Sequence, residues 1–237
     1  LGGQIVSSSL TDTNEKYFFG ISKDSTPTTV EFHVAFGSQR SFGGNTVGGT
    51  VKADTEAVYK EFANILLPAN EVTGGFFISD VGANGVLNNV NDKEIFVMTA
   101  VRTNMKDRLN KKNWTIILSG SNSTDQVGNI LKLTDDSSAD SPTSTPVGDR
   151  YNIVSGSDGS VSGSGAADKN YGFYYPNMGI MVFSQQELSA SIPGKNVDAD
   201  DIVLFNTGSH KGFGIGSSVN SNKKTALRFI NCLQPSG

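Results

Sequence analysis

The sequence reads as mainly β with one or two short helices, a β-rich α+β chain with an antiparallel, sandwich-like core and long Ser/Gly loops. Three features predict this. Short runs that alternate apolar and polar residues recur along the chain, as strands with one buried face do. A single longer stretch carries helical periodicity. Ser, Gly, Asp, Pro and Thr collect into two regions with too little apolar area to offset the entropy of ordering. With 237 residues the chain is long enough for one well-buried domain. The expectation is therefore a single β-rich domain over residues 1–237 with flexible insertions near 134–170 and 206–224. The opening "LGGQIVSSSL" carries no Met and the closing "NCLQPSG" reads as an interrupted end, so a fragment of a longer chain or a processed product is expected.

Among the strands, "VEFHVAF" is the cleanest: Val30, Phe32, Val34 and Phe36 face one way and Glu31, His33 and Ala35 the other. "NWTIILS" repeats the device with Trp114, Ile116 and Leu118 on one side. "EIFVMTAV", residues 94 to 101, is apolar almost throughout, which predicts a central strand covered on both faces. Shorter strands are expected at "GFFIS", "NILKLT", "YNIV", "GIMVF", "DIVLF" and "TALRFIN".

The helix lies in "DTEAVYKEFANILLP". Asp54 is a good N-cap, Glu56 suits the positive end of the dipole, and Val58, Phe62, Ile65 and Leu66 recur at helical spacing before Pro68 stops the run. A second, shorter helix is expected from Ser184, where "SQQE" sets Ser184 and Glu187 at capping-box spacing and Leu188 supplies a buried contact. Before it, "FYYPNMGIMVFS" reads as a turn at Pro176-Asn177 followed by a strand.

Chemistry-bearing residues are sparse. The net charge of −4, from 19 basic and 23 acidic residues, argues against nucleic acid as a partner, and the Lys111-Lys112 and Lys223-Lys224 pairs read as solvated surface. No run approaches the roughly 18 apolar residues of a membrane span, so no membrane partner is expected. Cys232 is the only cysteine, which leaves no intrachain disulfide. His33 reads as a packing residue in the polar phase of a strand, and His210 lies in a Gly-rich loop.

No serine sits in a Gly-x-Ser-x-Gly frame, and none of "FGGNTVGGT", Gly163-Ser164-Gly165 or Gly212 to Gly216 has the strand, helix and Lys of a phosphate loop. Asp198, Asp200 and Asp201 form a partial calcium set without EF-hand order and read as a solvated acidic turn, while Asp135-Asp136 reads as the opening of a polar loop. The expectation is no catalytic residue, no metal and no cofactor. Tyr171, Phe173, Tyr174 and Tyr175 form the one aromatic cluster; alternation would bury about half of it and leave Tyr surface suited to contact.

Five segments, in order, resemble virion structural proteins of T4-like myoviruses of marine cyanobacteria and related marine bacteria: "VEFHVAFGSQRSFGG", "TEAVYKEFANILLPANE", "NMKDRLNKKNWTIILSGS", "LKLTDDSS" and "YGFYYPNMGIMVFSQQELSA". They run from residue 30 to about 190. The resemblance implies a non-enzymatic subunit of a cyanophage particle in the tail, baseplate or neck, assembled in the host cytoplasm with other virion proteins and copies of itself. Tyr171, Tyr174, Tyr175 and Phe213 are the expected contact residues. The alternative is a module binding host-surface glycan through exposed tyrosines.

Overall fold

A computed structural model describes residues 6–8, 18–22, 30–40, 54–78, 80–81, 87–88, 91–119, 130–162, 170–190, 226, 229–230 and 233. The strands are β1 (Val6–Ser8), β2 (Phe18–Ser22), β3 (Val30–Ser38), β4 (Asp80–Val81), β5 (Leu87–Asn88), β6 (Glu94–Ala100), β7 (Ile116–Ser119), β8 (Ile130–Asp135), β9 (Thr143–Thr145), β10 (Gly148–Ser157), β11 (Ser160–Val161), β12 (Gly172–Tyr175) and β13 (Ile180–Ser184). The one α-helix among the described residues, α1, spans Asp54–Leu66. The main sheet runs β1-β2-β3-β6-β13-β12-β10-β8-β7, with β9 and β11 paired to β10, and a separate ribbon joins β4 to β5.

The architecture is mainly β and antiparallel, as the alternating runs predict. The main sheet is curled into a half-barrel, where the sequence reading expects a sandwich. One face gathers Ile21, Phe36, Phe96, Leu133, Tyr174 and Phe183 from β2 through β8 into a single cluster, as the inside of a curled sheet does. The other face carries Ile95, Val97, Phe173, Tyr175 and Val182 beneath Tyr59, Ala63 and Leu66 of α1. Successive residues of β6, β12 and β13 therefore enter opposite cores, which is why "EIFVMTAV" shows almost no polar phase.

Helix α1 docks by a stripe one step removed from the predicted one. Thr55, Tyr59, Ala63 and Leu66 are buried, Val58 and Phe62 are half-buried and Ile65 is exposed. The contact is close because Gly37 of β3 has no side chain: a Cβ there would stand 3.1 Å from the Tyr59 Cα. A larger residue would push the helix off the sheet.

Three further expectations change. "TALRFIN" is helical at Ala226, Phe229 and Ile230, not a strand, and its i, i+3, i+4 spacing puts all three into the inner core. "GFFIS" keeps its alternation, with Phe76 and Ile78 buried and Phe77 exposed, but residues 75–78 make no ladder. Between 134 and 162 the Ser/Gly-rich chain is built into β8, β9, β10 and β11, so "YNIV" is the middle of a ten-residue strand.

The stretch 206–224, with Phe213 and His210, lies outside the described residues, as do "DIVLF", Asp198, Asp200 and Asp201. No helix among the described residues is long and apolar enough to cross a membrane.

Candidate functional site

The aromatic strand does not present the surface expected of it. Tyr174 and Tyr175 are 0% and 1% exposed, one in each core, and Tyr171 is half-buried against the inner cluster. The Tyr174 hydroxyl donates to the Asn110 carbonyl at 3.3 Å, and its ring meets the Trp114 indole edge-on at 5.3 Å. Burial pushes the Tyr175 hydroxyl up to about 12, with nearby Arg150 opposing the rise. Arg150 caps the same region: its guanidinium lies 4.3 Å from the Phe173 ring centre and pairs with Glu71 at 3.2 Å. The four-residue β12 is covered on both faces, so both phases of the alternation are internal.

The carboxylates also depart from expectation. Asp135 and Asp136, read from sequence as the opening of a polar loop, are buried at 0% and 4% exposure. Asp135 accepts the Lys112 backbone N–H at 2.9 Å and the Ser137 hydroxyl. Asp136 accepts the backbone and side-chain N–H groups of Asn152 at 3.0 and 2.8 Å, and Asn152 in turn accepts from Asn170. These contacts tie the turn after β8 to β10 and to the entry of β12. Burial raises the Asp136 carboxyl above the ordinary carboxylate range, against the bonds from Asn152.

Asp92 is the third buried acid. Its carboxylate accepts the Ile78 N–H at 2.8 Å and the Ser184 hydroxyl, while its carbonyl accepts the Tyr59 hydroxyl at 2.7 Å. The Tyr59 oxygen takes the Phe76 N–H at 3.1 Å. Ser184 also caps the turn that follows, accepting the Glu187 N–H at 3.1 Å. The predicted helix start is thus present, but it opens a single 3-10 turn, Glu187–Ala190. Burial lifts the Asp92 carboxyl to about 6, the bonds from Ser184 and Ile78 oppose the rise, and the neighbouring Glu187 adds to it.

All three acids accept hydrogen bonds from the chain itself, an arrangement that fastens loops to strands. His33 stacks on Phe18 at 5.2 Å, in the packing role its strand phase predicts, and burial lowers its pKa. No group of three metal-capable side chains occurs among the described residues. Lys111-Lys112 were read from sequence as solvated surface; what that reading missed is that with Arg108, Asn110, Asn113 and Ser137 they line a polar cleft of about 470 Å3. The signal was present, since residues 102–112 hold five cationic side chains and one acidic one.

At the end of the sheet, β7 pairs β8 on one side, and on the other it makes the isolated bridge Leu118 to Leu233. Beside it, opposite Ser119, Ile130 is 66% exposed. Comparison of the chain with protein-family models, curated proteins and solved structures finds no match in any of the three.

Proposed function

We propose that the chain is a structural subunit of a bacteriophage virion, in the tail, baseplate or neck, which acts through contacts with other virion proteins and copies of itself. The observation that carries this reading is Ile130, 66% exposed at the start of β8 beside β7, the last strand of the described sheet, whose outer side carries a single bridge, to Leu233, among the described residues. A terminal strand offers backbone donors and acceptors to a neighbouring chain, and an adjacent apolar side chain adds buried area to such a pairing. The ordered sequence resemblance supplies the kind of assembly. Internal use of the buried acids accords with a part selected for shape.

The tyrosine platform expected of a glycan-binding module has Tyr174 and Tyr175 inside the cores, so adhesion through those rings is not the reading the geometry favours. The deciding experiment is hydrogen exchange of the 116–119 amides in the isolated chain and in purified phage particles, alongside mass spectrometry of copy number. Protection gained in the particle, with copies in a multiple of six or twelve, supports a ring subunit. Equal exchange in both states, or absence of the chain from particles, overturns the reading.

A further inference from the structure

The chain has a net charge of −4, yet Arg102, Lys106, Arg108, Lys111 and Lys112 fall within eleven residues against the single Asp107. Three of these cations meet in one place. Arg108, Lys111 and Lys112 line the polar cleft with Asn110, Asn113 and Ser137, and its volume of about 470 Å3 lies in the range of small-molecule sites.

The turn that presents them is fixed from behind at four points. Leu109 N–H donates to the Pro176 carbonyl at 3.0 Å, and the Asn110 carbonyl accepts from Tyr174 at 3.3 Å. The Lys111 ammonium donates to the Tyr151 hydroxyl at 2.8 Å and lies 4.8 Å from that ring's centre. Lys112 donates its N–H to Asp135 at 2.9 Å.

Lys112 holds φ at 61°, in the left-handed region that side chains such as lysine seldom adopt. Gly159 presses against it so closely that a Cβ would fall 2.5 Å from the Lys112 Cβ. A strained backbone conformation held by its surroundings points to a shape kept for use. The backbone of the turn and the Lys111 ammonium are therefore held before any ligand arrives, which lowers the ordering entropy that opposes binding.

We propose that this cleft is an oxyanion-binding site, taking a sulfate or phosphate group either as the free ion or carried on a sugar. Arg108 and Lys112, both exposed, supply charge and forked or point donors. Lys111 has one ammonium hydrogen committed to Tyr151 and two left for the ligand. Asn110, Asn113 and Ser137 offer amides and a hydroxyl, which suit neighbouring sugar hydroxyls. The Asp135 carboxylate is nearby, but its oxygens are turned to Lys112 N–H and Ser137, and the three cations line the cleft. Among the described residues the cleft lining has no aromatic ring on which a nucleobase could stack. This inference does not depend on where the chain is assembled.

The test is calorimetric titration of the whole 237-residue chain at low salt with inorganic phosphate, inorganic sulfate, glucose 6-phosphate, glucose and a duplex DNA oligonucleotide. The phosphate-bearing probes bind, glucose does not, and added NaCl weakens binding. Tighter binding of glucose 6-phosphate assigns a sugar-borne group, and equal binding assigns the free ion; either supports the site. A double variant, Arg108→Gln with Lys112→Asn, loses roughly tenfold or more in affinity. Asn tolerates the left-handed backbone and keeps the N–H to Asp135.

Lys60→Gln with Lys132→Gln, which removes the same charge elsewhere, leaves binding within about twofold. Arg108→Gln alone, an exposed change, gives the same direction should the double variant fold poorly. Binding by none of the anions, binding untouched by Arg108→Gln, or DNA that outcompetes glucose 6-phosphate would overturn the proposal.

Discussion

Asn152 donates both its backbone and its side-chain N–H to the Asp136 carboxylate, at 3.0 and 2.8 Å. With Asp136 4% exposed, removal of its carboxylate strands two donors where water cannot readily replace it. Asp136→Ala should therefore lower stability by about 2–3 kcal/mol. In a double-mutant cycle with Asn152→Ala, a coupling of about 1 kcal/mol or more is expected in urea unfolding. Additive single effects would show that the two side chains stand apart in solution.

Asp92 gives a pH signature. Its carboxyl titrates at about 6 in the fold against the ordinary 3.8, so between these values the native chain holds more protons than the unfolded one. Stability from this group rises as pH falls through 6 and levels off near 4, by at most about 3 kcal/mol. Asp136, also raised, acts in the same direction, while His33, lowered from 6.5, loses stability as pH falls below that value. Asp92→Asn keeps an acceptor for Ile78 N–H and removes the titration. The wild-type urea midpoint should rise relative to that of the variant from pH 7.5 to pH 4.5; a constant difference would assign the slope to other groups.

Tyr59→Phe probes the same junction from the helix. The variant keeps the ring that meets Phe76 edge-on at 5.7 Å and loses the hydroxyl that joins Phe76 N–H to the Asp92 carbonyl. A loss of about 1–3 kcal/mol is expected, most of it from the unpaired Phe76 N–H. Hydrogen exchange at Phe76 should quicken more than exchange in β6. Unchanged exchange there would mean that the hydroxyl does not hold the segment.

Much of this architecture was legible because period-two alternation records burial directly. Val34 and Phe36, or Ile116 and Leu118, announce strands whatever surrounds them. The reading failed where the sheet has two cores. Tyr174 and Tyr175 looked half-exposed because alternation implies one wet face, and nothing local says that α1 covers the second. Asp135 and Asp136 read as the opening of a polar loop because their partners, Lys112, Ser137 and Asn152, are mostly distant in sequence. Lys112 was read as solvated surface, and its backbone conformation could not be foreseen, since a left-handed φ at a lysine has no sequence signature comparable to glycine's.

The close approach of α1 to β3 makes Gly37→Ala informative. The new methyl would stand 3.1 Å from the backbone N and Cα of Tyr59 and 3.2 Å from the Ile95 side chain. Ile95 can shift, but the helix backbone must move as a body, so a cost of about 1–3 kcal/mol is expected. Pairing it with Tyr59→Phe should give less than the sum of the two losses, because a displaced helix has already weakened the hydroxyl's contacts. Strict additivity would place the helix farther from the strand.

Phe229 is where the misread segment 225–231 can be checked. Its ring lies 5.1 Å from Phe96 and 5.0 Å from Phe183, each fully buried in the inner core. Two aromatic neighbours at these separations leave a large void when the ring is removed, so Phe229→Ala should cost about 3–5 kcal/mol, and Phe229→Leu less because it refills part of the space. The graded pair separates lost packing from lost secondary structure: leucine and alanine are both strong helix formers, so a propensity effect would leave both variants near wild type. A urea midpoint that falls in the order wild type, leucine, alanine places the segment in the core. Equal midpoints for all three would mean that Ala226, Phe229 and Ile230 do not dock in the inner core, and that it is closed by other parts of the chain.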